Sequence, residues 1–221
     1  MAKKIRNLQE HYHILCEGKT EYNYFNEIKK KLSEKNIFIT ISDMHGGGYS
    51  NIESKIHQVG TKGYLAIFVI CDGDKAENPS EKQKLEHLIN FCEKINRENR
   101  PPCFLIVDSP DFEYIACLHD ENFKGTDITA YIKKIFKIDD LEKFKSDNKI
   151  YHKLNSDSRS YKIMLQALKK SSISIVRNVY QFEKNSAILK KIIVAETKSN
   201  LDAIGKKGSN IDEIFEILLE R

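Results

Sequence analysis

Three short apolar segments of the chain each run directly into acidic side chains. Glu17 follows the first, within Cys16-Glu17-Gly18-Lys19-Thr20-Glu21. Asp72 and Asp74 follow the second, within Cys71-Asp72-Gly73-Asp74-Lys75. Asp108, Ser109 and Asp111 follow the third, with Glu113 one step into the next helical segment. Carboxylates gathered in one place repel each other and hold their protons unless a cation neutralises them. Hard oxygen ligands suit Mg²⁺ or Mn²⁺, and no His/Cys set in the chain has the spacing of a zinc site. No Ser–His–Asp or Cys–His arrangement is apparent either, so water activated by a metal ion is the nucleophile these motifs supply. Each acid alone has an ordinary reading. Asp and Gly favour turns, and Glu21 suits the N-terminal end of a helix. Three segment ends carrying acids in one unit are harder to explain by turns.

The segments that must position these acids alternate in character. His11–Cys16 is short, aromatic and aliphatic, a buried strand. Thr20–Lys35 repeats Tyr24, Phe25, Ile28 and Leu32 at helical spacing. Ile37–Ile41 is a second strand, and Gly46-Gly47-Gly48 a loop. Ser50 with Glu53 forms a capping box for a helix running to Gly60. Tyr64–Cys71 is an unbroken apolar run, as in a central parallel strand covered on both faces. Ser80 with Gln83 opens a third helix that ends before Pro101-Pro102, and Cys103–Val107 is a fourth strand. This β-α-β-α-β-α-β order predicts an α/β fold, a mainly parallel, Rossmann-like sheet flanked by helices. In such sheets ligands bind at the carboxyl ends of strands, where the acids fall.

After residue 110 the strand pattern fades. Phe112–His119, Asp127–Phe136, Ser158–Lys170 and Asn210–Leu219 read as helices, the last capped by Asn210 and Glu213. The stretch 171–195 fits helix and strand equally. The expected organisation is a catalytic core over 1–120 and a mainly helical, basic extension over 121–221 packed on it. With 221 residues the chain is one large domain or a domain with an appendage. Residues 1–120 carry 16 Lys+Arg and 18 Asp+Glu, net −2; residues 143–207 carry 15 and 5, net +10. An acidic first part suits metal ions and a basic later part suits phosphates, although lysine-rich faces are commonly just solvated. No run reaches the roughly 18 apolar residues of a membrane span. The basic start, Met1-Ala2-Lys3-Lys4-Ile5-Arg6, lacks the hydrophobic region of a signal peptide. Five scattered cysteines without CxxC spacing argue against disulfides and for a reducing cytoplasm.

At the acidic motifs the chain resembles a Toprim domain, the catalytic fold shared by topoisomerases, primases and OLD-type nucleases. Glu17 matches that pattern's glutamate after the first strand, and Asp72 and Asp74 its later Asp-x-Asp. More narrowly, the chain is similar to the RloB-like family of bacterial Toprim proteins. The matching pieces are Ile14–Glu21 with Tyr24-Phe25, Val69–Lys75, and Asp108–Tyr114 with Leu118-His119. The third resembles the family's Ser-Asn-Pro-x-Phe-Glu segment and departs from it at Asp111 and Tyr114. The likeness is carried by residues 11–120. It implies a Mg²⁺- or Mn²⁺-dependent nuclease acting on DNA or RNA beside an ATPase encoded nearby, in defence against phage. By that analogy the catalytic residues are Glu17, Asp72, Asp74 and Glu113. Glu17 and Asp72 hold one metal, Glu21, Asp74 and Glu113 help hold a second, and Ser109 lies near the scissile phosphate. A homo-oligomer is compatible with all of this.

Other Toprim chemistries need parts the chain lacks: a tyrosine-nucleophile domain, or template- and zinc-binding parts. A haloacid-dehalogenase-type phosphotransferase wants its Asp-x-Asp after the first strand, whereas here it follows the third. The alternative from another class is a non-catalytic Toprim-like module that binds nucleic acid or a partner ATPase as a sensor or regulator. Lys19, Ser109, Lys153, Lys206 and Lys207 are the candidate substrate contacts. Lys153 would stabilise a pentavalent phosphate, and Lys206-Lys207, between Gly205 and Gly208, would touch a phosphate backbone. A solvated lysine is the ordinary reading of each. His119 reads as packed or capping rather than catalytic. Gly46–Gly48 lacks the Gly-Lys-Ser/Thr of a nucleotide-binding loop. The stripe Ile211, Ile214, Phe215, Leu218 and Leu219 reads as core.

Overall fold

The computed structural model describes residues 10–59, 63–98, 100–125, 127–185 and 188–220. The basic start at Met1–Arg6 and the expected helix end at Gly60 lie outside the described residues. Four strands, β1 (Glu10–Cys16), β2 (Ile37–Asp43), β3 (Ala66–Asp72) and β4 (Cys103–Asp108), form one parallel sheet in the order β2-β1-β3-β4. Helices α1 (Lys19–Ser33), α2 (Tyr49–Val59) and α3 (Pro79–Arg97) make the crossovers. The expected mixed α/β fold with a parallel, Rossmann-like sheet is the one found.

β1, β3 and β4 are buried almost throughout, as strands covered on both faces must be. Their alternation divides the core in two. Tyr12, Ile14, Phe68, Ile70, Phe104 and Ile106 pack with Tyr24, Phe25 and Ile28 of α1. Leu15, Val69, Leu105 and Val107 pack with Ile52 and Ile56 of α2 and Leu85 and Leu88 of α3. β3 and β4 each run one residue further than their apolar runs suggest. Asp72 and Asp108 stay in the ladder, in register with each other. Both acids are thus the last residues of strands rather than the first of loops.

The helix starts differ in detail from the sequence reading. Pro79 opens α3 and the side chain of Asn78 caps it, accepting from the Ser80 N–H at 2.9 Å. Proline suits the first helical position because its missing N–H would be unpaired there. Ser80 and Gln83 therefore form no capping box.

Beyond the sheet come α4 (Phe112–Cys117), α5 (Ile128–Phe136), α6 (Leu141–Lys145), α7 (Ile150–Leu154) and α8 (Tyr161–Ser171). An antiparallel hairpin follows, β5 (Val176–Asn185) with β6 (Ile188–Ser199), and then α9 (Asp212–Leu219). This hairpin is the main departure from the helical extension expected. Its ladder shifts register at Val179/Tyr180 and at Glu183/Lys184. Bulges of this kind break the period-two pattern by which a strand is read. Glu213 does not cap α9 but binds the hairpin, accepting from the Asn178 N–H at 2.9 Å and from Nδ2 at 2.7 Å. Asn210 binds β4 instead, as described below. Ile211, Ile214, Phe215 and Leu218 are buried in the core, as their spacing predicts. Residues of α7, α8, the hairpin and α9 complete the same hydrophobic cluster as β1, β3 and α1. All five cysteines are buried and free. No described helix is long and apolar enough to cross a membrane.

Candidate metal centre

The chain leaves β1 toward β2 on one side and returns to place β3 on the other, so the crossover direction reverses between β1 and β3. The crevice at the carboxyl ends of strands flanking such a reversal is where doubly wound sheets bind ligands. Glu17 and Asp72 stand there. Asp72 shares a face with Phe68 and Ile70, and Asp108 with Phe104 and Ile106, the face covered by α1. Glu21 in the first turn of α1 and Glu113 in the first turn of α4 are buried at the same end. Glu21, Asp72 and Glu113 line one cavity of about 190 Å³, with Gly18, Lys19 and Thr20 of the first motif and Glu142, Lys145 and Ser146 around α6.

Burial and mutual repulsion favour the protonated forms here. Burial first, then Glu21 and Glu17, push Asp72 up to about 10. Burial, then chiefly the charge of Asp108, pushes Glu21 up to about 8. Burial pushes Asp108 up to about 7, against a hydrogen bond from Ser209. Glu113 is raised by burial and by Asp111. The Thr20 hydroxyl donates to Glu113 Oε1 at 3.3 Å, and Lys145 Nζ stands 3.7 Å from the same oxygen. Gly18 matters through space rather than backbone freedom, since a Cβ there would lie 2.9 Å from Glu21 Oε2. Its φ is −123°, so the turn itself does not demand glycine.

Glu17 is held apart from the cavity lining. Its Oε2 accepts the Asp72 N–H at 3.1 Å, and its Oε1 pairs with Lys75 Nζ at 2.5 Å. Lys75 thus serves as an internal counter-ion to a buried carboxylate. Breaking a fully buried pair costs about 3–5 kcal/mol. The Lys75 side chain is 42% exposed, so about 1–2 kcal/mol is expected here. Lys75→Met should lower the melting temperature in EDTA and lose most of that deficit in saturating Mn²⁺, because an added cation replaces the missing one. Equal deficits in both conditions would show that no cation reaches Glu17.

The remaining sequence candidates scatter. Asp74 is exposed at the start of a short 3₁₀ turn, and its Oδ1 accepts the Lys75 N–H at 2.6 Å. Ser109 is buried at the exit of β4, bridged to Gly208 backbone to backbone. Lys19 stands on the cavity rim. Lys153 pairs with Asp147 and is not part of the cavity. Lys206 is exposed, while Lys207 Nζ reaches the Gly125 carbonyl at 2.6 Å. His119 is fully buried, pushed down to about 4 by burial, and bound to Tyr24 Oη at 2.8 Å and the Ile115 carbonyl at 3.0 Å. It is a packed residue. Sequence reasoning missed Lys145 and Ser209, whose signal is only a lysine among lysines and a serine in a loop.

These residues fit a divalent cation. The donors are all carboxylates, and Asp72 Oδ1 and Asp108 Oδ2 are buried without a hydrogen-bond partner. Among the described residues no three His, Cys, Asp or Glu side chains converge as a finished ligand set. Glu17 Oε1 and Glu113 Oε1 face lysines instead, Lys75 Nζ at 2.5 Å and Lys145 Nζ at 3.7 Å.

No curated protein matches the chain, and no solved structure matches it. A family model described as RloB-like protein matches residues 12–218. That match runs well past residue 120, so the hairpin, α9 and the loop before it belong to the family pattern along with the acidic motifs. With all but the ends of its 221 residues inside that match, the chain belongs to the RloB-like family.

Proposed function

We propose that the chain is a metal-dependent nuclease of the Toprim kind, hydrolysing phosphodiester bonds of DNA or RNA with Mg²⁺ or Mn²⁺. The observation that carries this reading is the pair of unpartnered carboxylate oxygens of Asp72, at the switch point of the sheet, and Asp108, in register with it on the next strand. Asp72, Glu21 and Glu113 would hold the ion, with Glu17 joining once Lys75 yields it. A divalent ion there would supply an activated water and neutralise the oxygens of an in-line displacement. Lys19 and Lys145 on the rim would draw a phosphate toward the acids and hold it. The basic stretch 143–207 would carry the rest of the backbone contact. The family resemblance adds the setting, phage defence beside an ATPase, and the scattered cysteines suit a reducing cytoplasm.

The test is cleavage of plasmid DNA, single-stranded DNA and tRNA in Mn²⁺, in Mg²⁺ and in EDTA. Each is run with and without the neighbouring ATPase and ATP, and with Glu17→Gln alongside. Cleavage that needs a divalent ion and is lost in Glu17→Gln is expected. Full cleavage by Glu17→Gln would remove that residue from the chemistry. A wild type inert under every condition would favour the regulatory module, a reading to which the Lys75–Glu17 pair already lends some weight.

A further inference from the structure

Asp108 is fully buried, and its place is set from two directions. The ladder puts it beside Asp72. The loop before α9 closes over its other side. Gly208 exchanges backbone hydrogen bonds with Ser109, both at 2.9 Å. Only glycine fits that approach, because a Cβ at 208 would lie 2.1 Å from the Ile173 carbonyl oxygen. Asn210 Oδ1 accepts the Val107 N–H at 3.0 Å, and its Nδ2 donates to the Leu105 carbonyl at 2.9 Å. Between them, Ser209 Oγ accepts the Ile211 N–H at 2.8 Å and donates to Asp108 Oδ1 at 2.5 Å. The Ile211 N–H thus aims the serine proton at one oxygen of Asp108. The other oxygen, Oδ2, has no partner.

A purely structural role explains this poorly. Gly208 and Asn210 already fasten the loop by four hydrogen bonds, two to Ser109 and two to β4. A neutral acceptor at 108 would take the Ser209 hydroxyl equally well. A buried acid with one oxygen unpaired costs stability unless a cation satisfies it. Carboxylates that ligate metals are themselves held by further hydrogen bonds, as Ser209 holds this one.

We propose that Asp108 is a ligand of the divalent ion alongside Asp72, and that Ser209 is the positioning residue that orients it. This rests on the metal-centre reading above. Calorimetric titration with Mn²⁺ of the wild type, Asp108→Asn and Ser209→Ala tests it, with melting temperatures in EDTA. Asp108→Asn keeps the shape and the serine contact. It should bind Mn²⁺ roughly ten-fold more weakly or worse and melt higher in EDTA, one repelling charge being gone. Ser209→Ala should weaken Mn²⁺ several-fold, with Ser209→Thr restoring most of it. If the wild type binds Mn²⁺ and Asp108→Asn binds within two-fold of it, Asp108 is only an anchor and this inference falls alone. If the wild type binds no Mn²⁺, the metal-centre reading falls and takes this with it. Should Asp108→Asn not fold, unchanged affinity in Ser209→Ala overturns the proposal.

Discussion

Asp72→Asn should abolish Mn²⁺ binding at the acidic cleft and cut phosphodiester cleavage by at least about a hundredfold. Asp72 ends the central strand, lines the same cavity as Glu21 and Glu113, and is in register with Asp108. Every neighbour that could share an ion therefore shares it through this residue. Asparagine keeps the shape and leaves the backbone N–H that Glu17 accepts in place. The fold should survive, and in EDTA the variant should melt higher than the wild type because one of several crowded carboxylates has gone. Loss of cleavage together with a raised melting temperature separates chemistry from folding. Wild-type cleavage and Mn²⁺ affinity in the variant would remove the metal from this end of the sheet.

In EDTA the protein should lose stability steadily as the pH rises from neutral to mildly alkaline. Asp108, Glu21 and Asp72 are pushed up to about 7, about 8 and about 10. Their unfolded values lie near ~4. Between those limits the folded state binds more protons than the unfolded one. The stability these groups contribute is therefore complete below the unfolded values and is lost as the pH climbs through the folded ones. Buried His13 and His119, both pushed down to about 4, act in the opposite direction. Their contribution is complete above about pH 6.5, and thiols enter only near ~8.5. Urea midpoints between about pH 7 and about pH 8.2 isolate the carboxylates. The midpoint should fall across that window, fall less in Asp72→Asn, and hold level or rise in saturating Mn²⁺, whose ligands must be deprotonated. A flat wild-type profile in EDTA would mean that the acids are neither desolvated nor close enough to interact.

The sheet was legible because each of its strands is a short apolar run that stops at polar punctuation. Acids at three of those stops, Glu17, Asp72 and Asp108, pointed to the candidate site. Which of them share a face was not legible from motifs. It depends on the ladder register that sets Asp72 beside Asp108, and on α1 and α4 bringing Glu21 and Glu113 to the same side. The cations were harder still. Lys75, Lys145 and Lys153 look alike in a lysine-rich chain, and only packing assigns them to Glu17, Glu113 and Asp147. α6 spans only Leu141–Lys145, too short for a helical period to announce itself. The hairpin was hidden by its own irregularities, since each register shift moves the apolar positions out of step.

The contact between Ser209 and Asp108 spans 101 positions of sequence. During synthesis the amino-terminal part emerges and begins to collapse first. A nascent chain that has made β1, β3 and β4 but not residues 208–210 therefore has its acids without the clamp on Asp108. Closing so long a loop is slow and entropically costly. With Asp108 as a proposed ligand, completion of the proposed centre would be tied to the arrival of a distant segment, and half-made copies of the protein would be left without it.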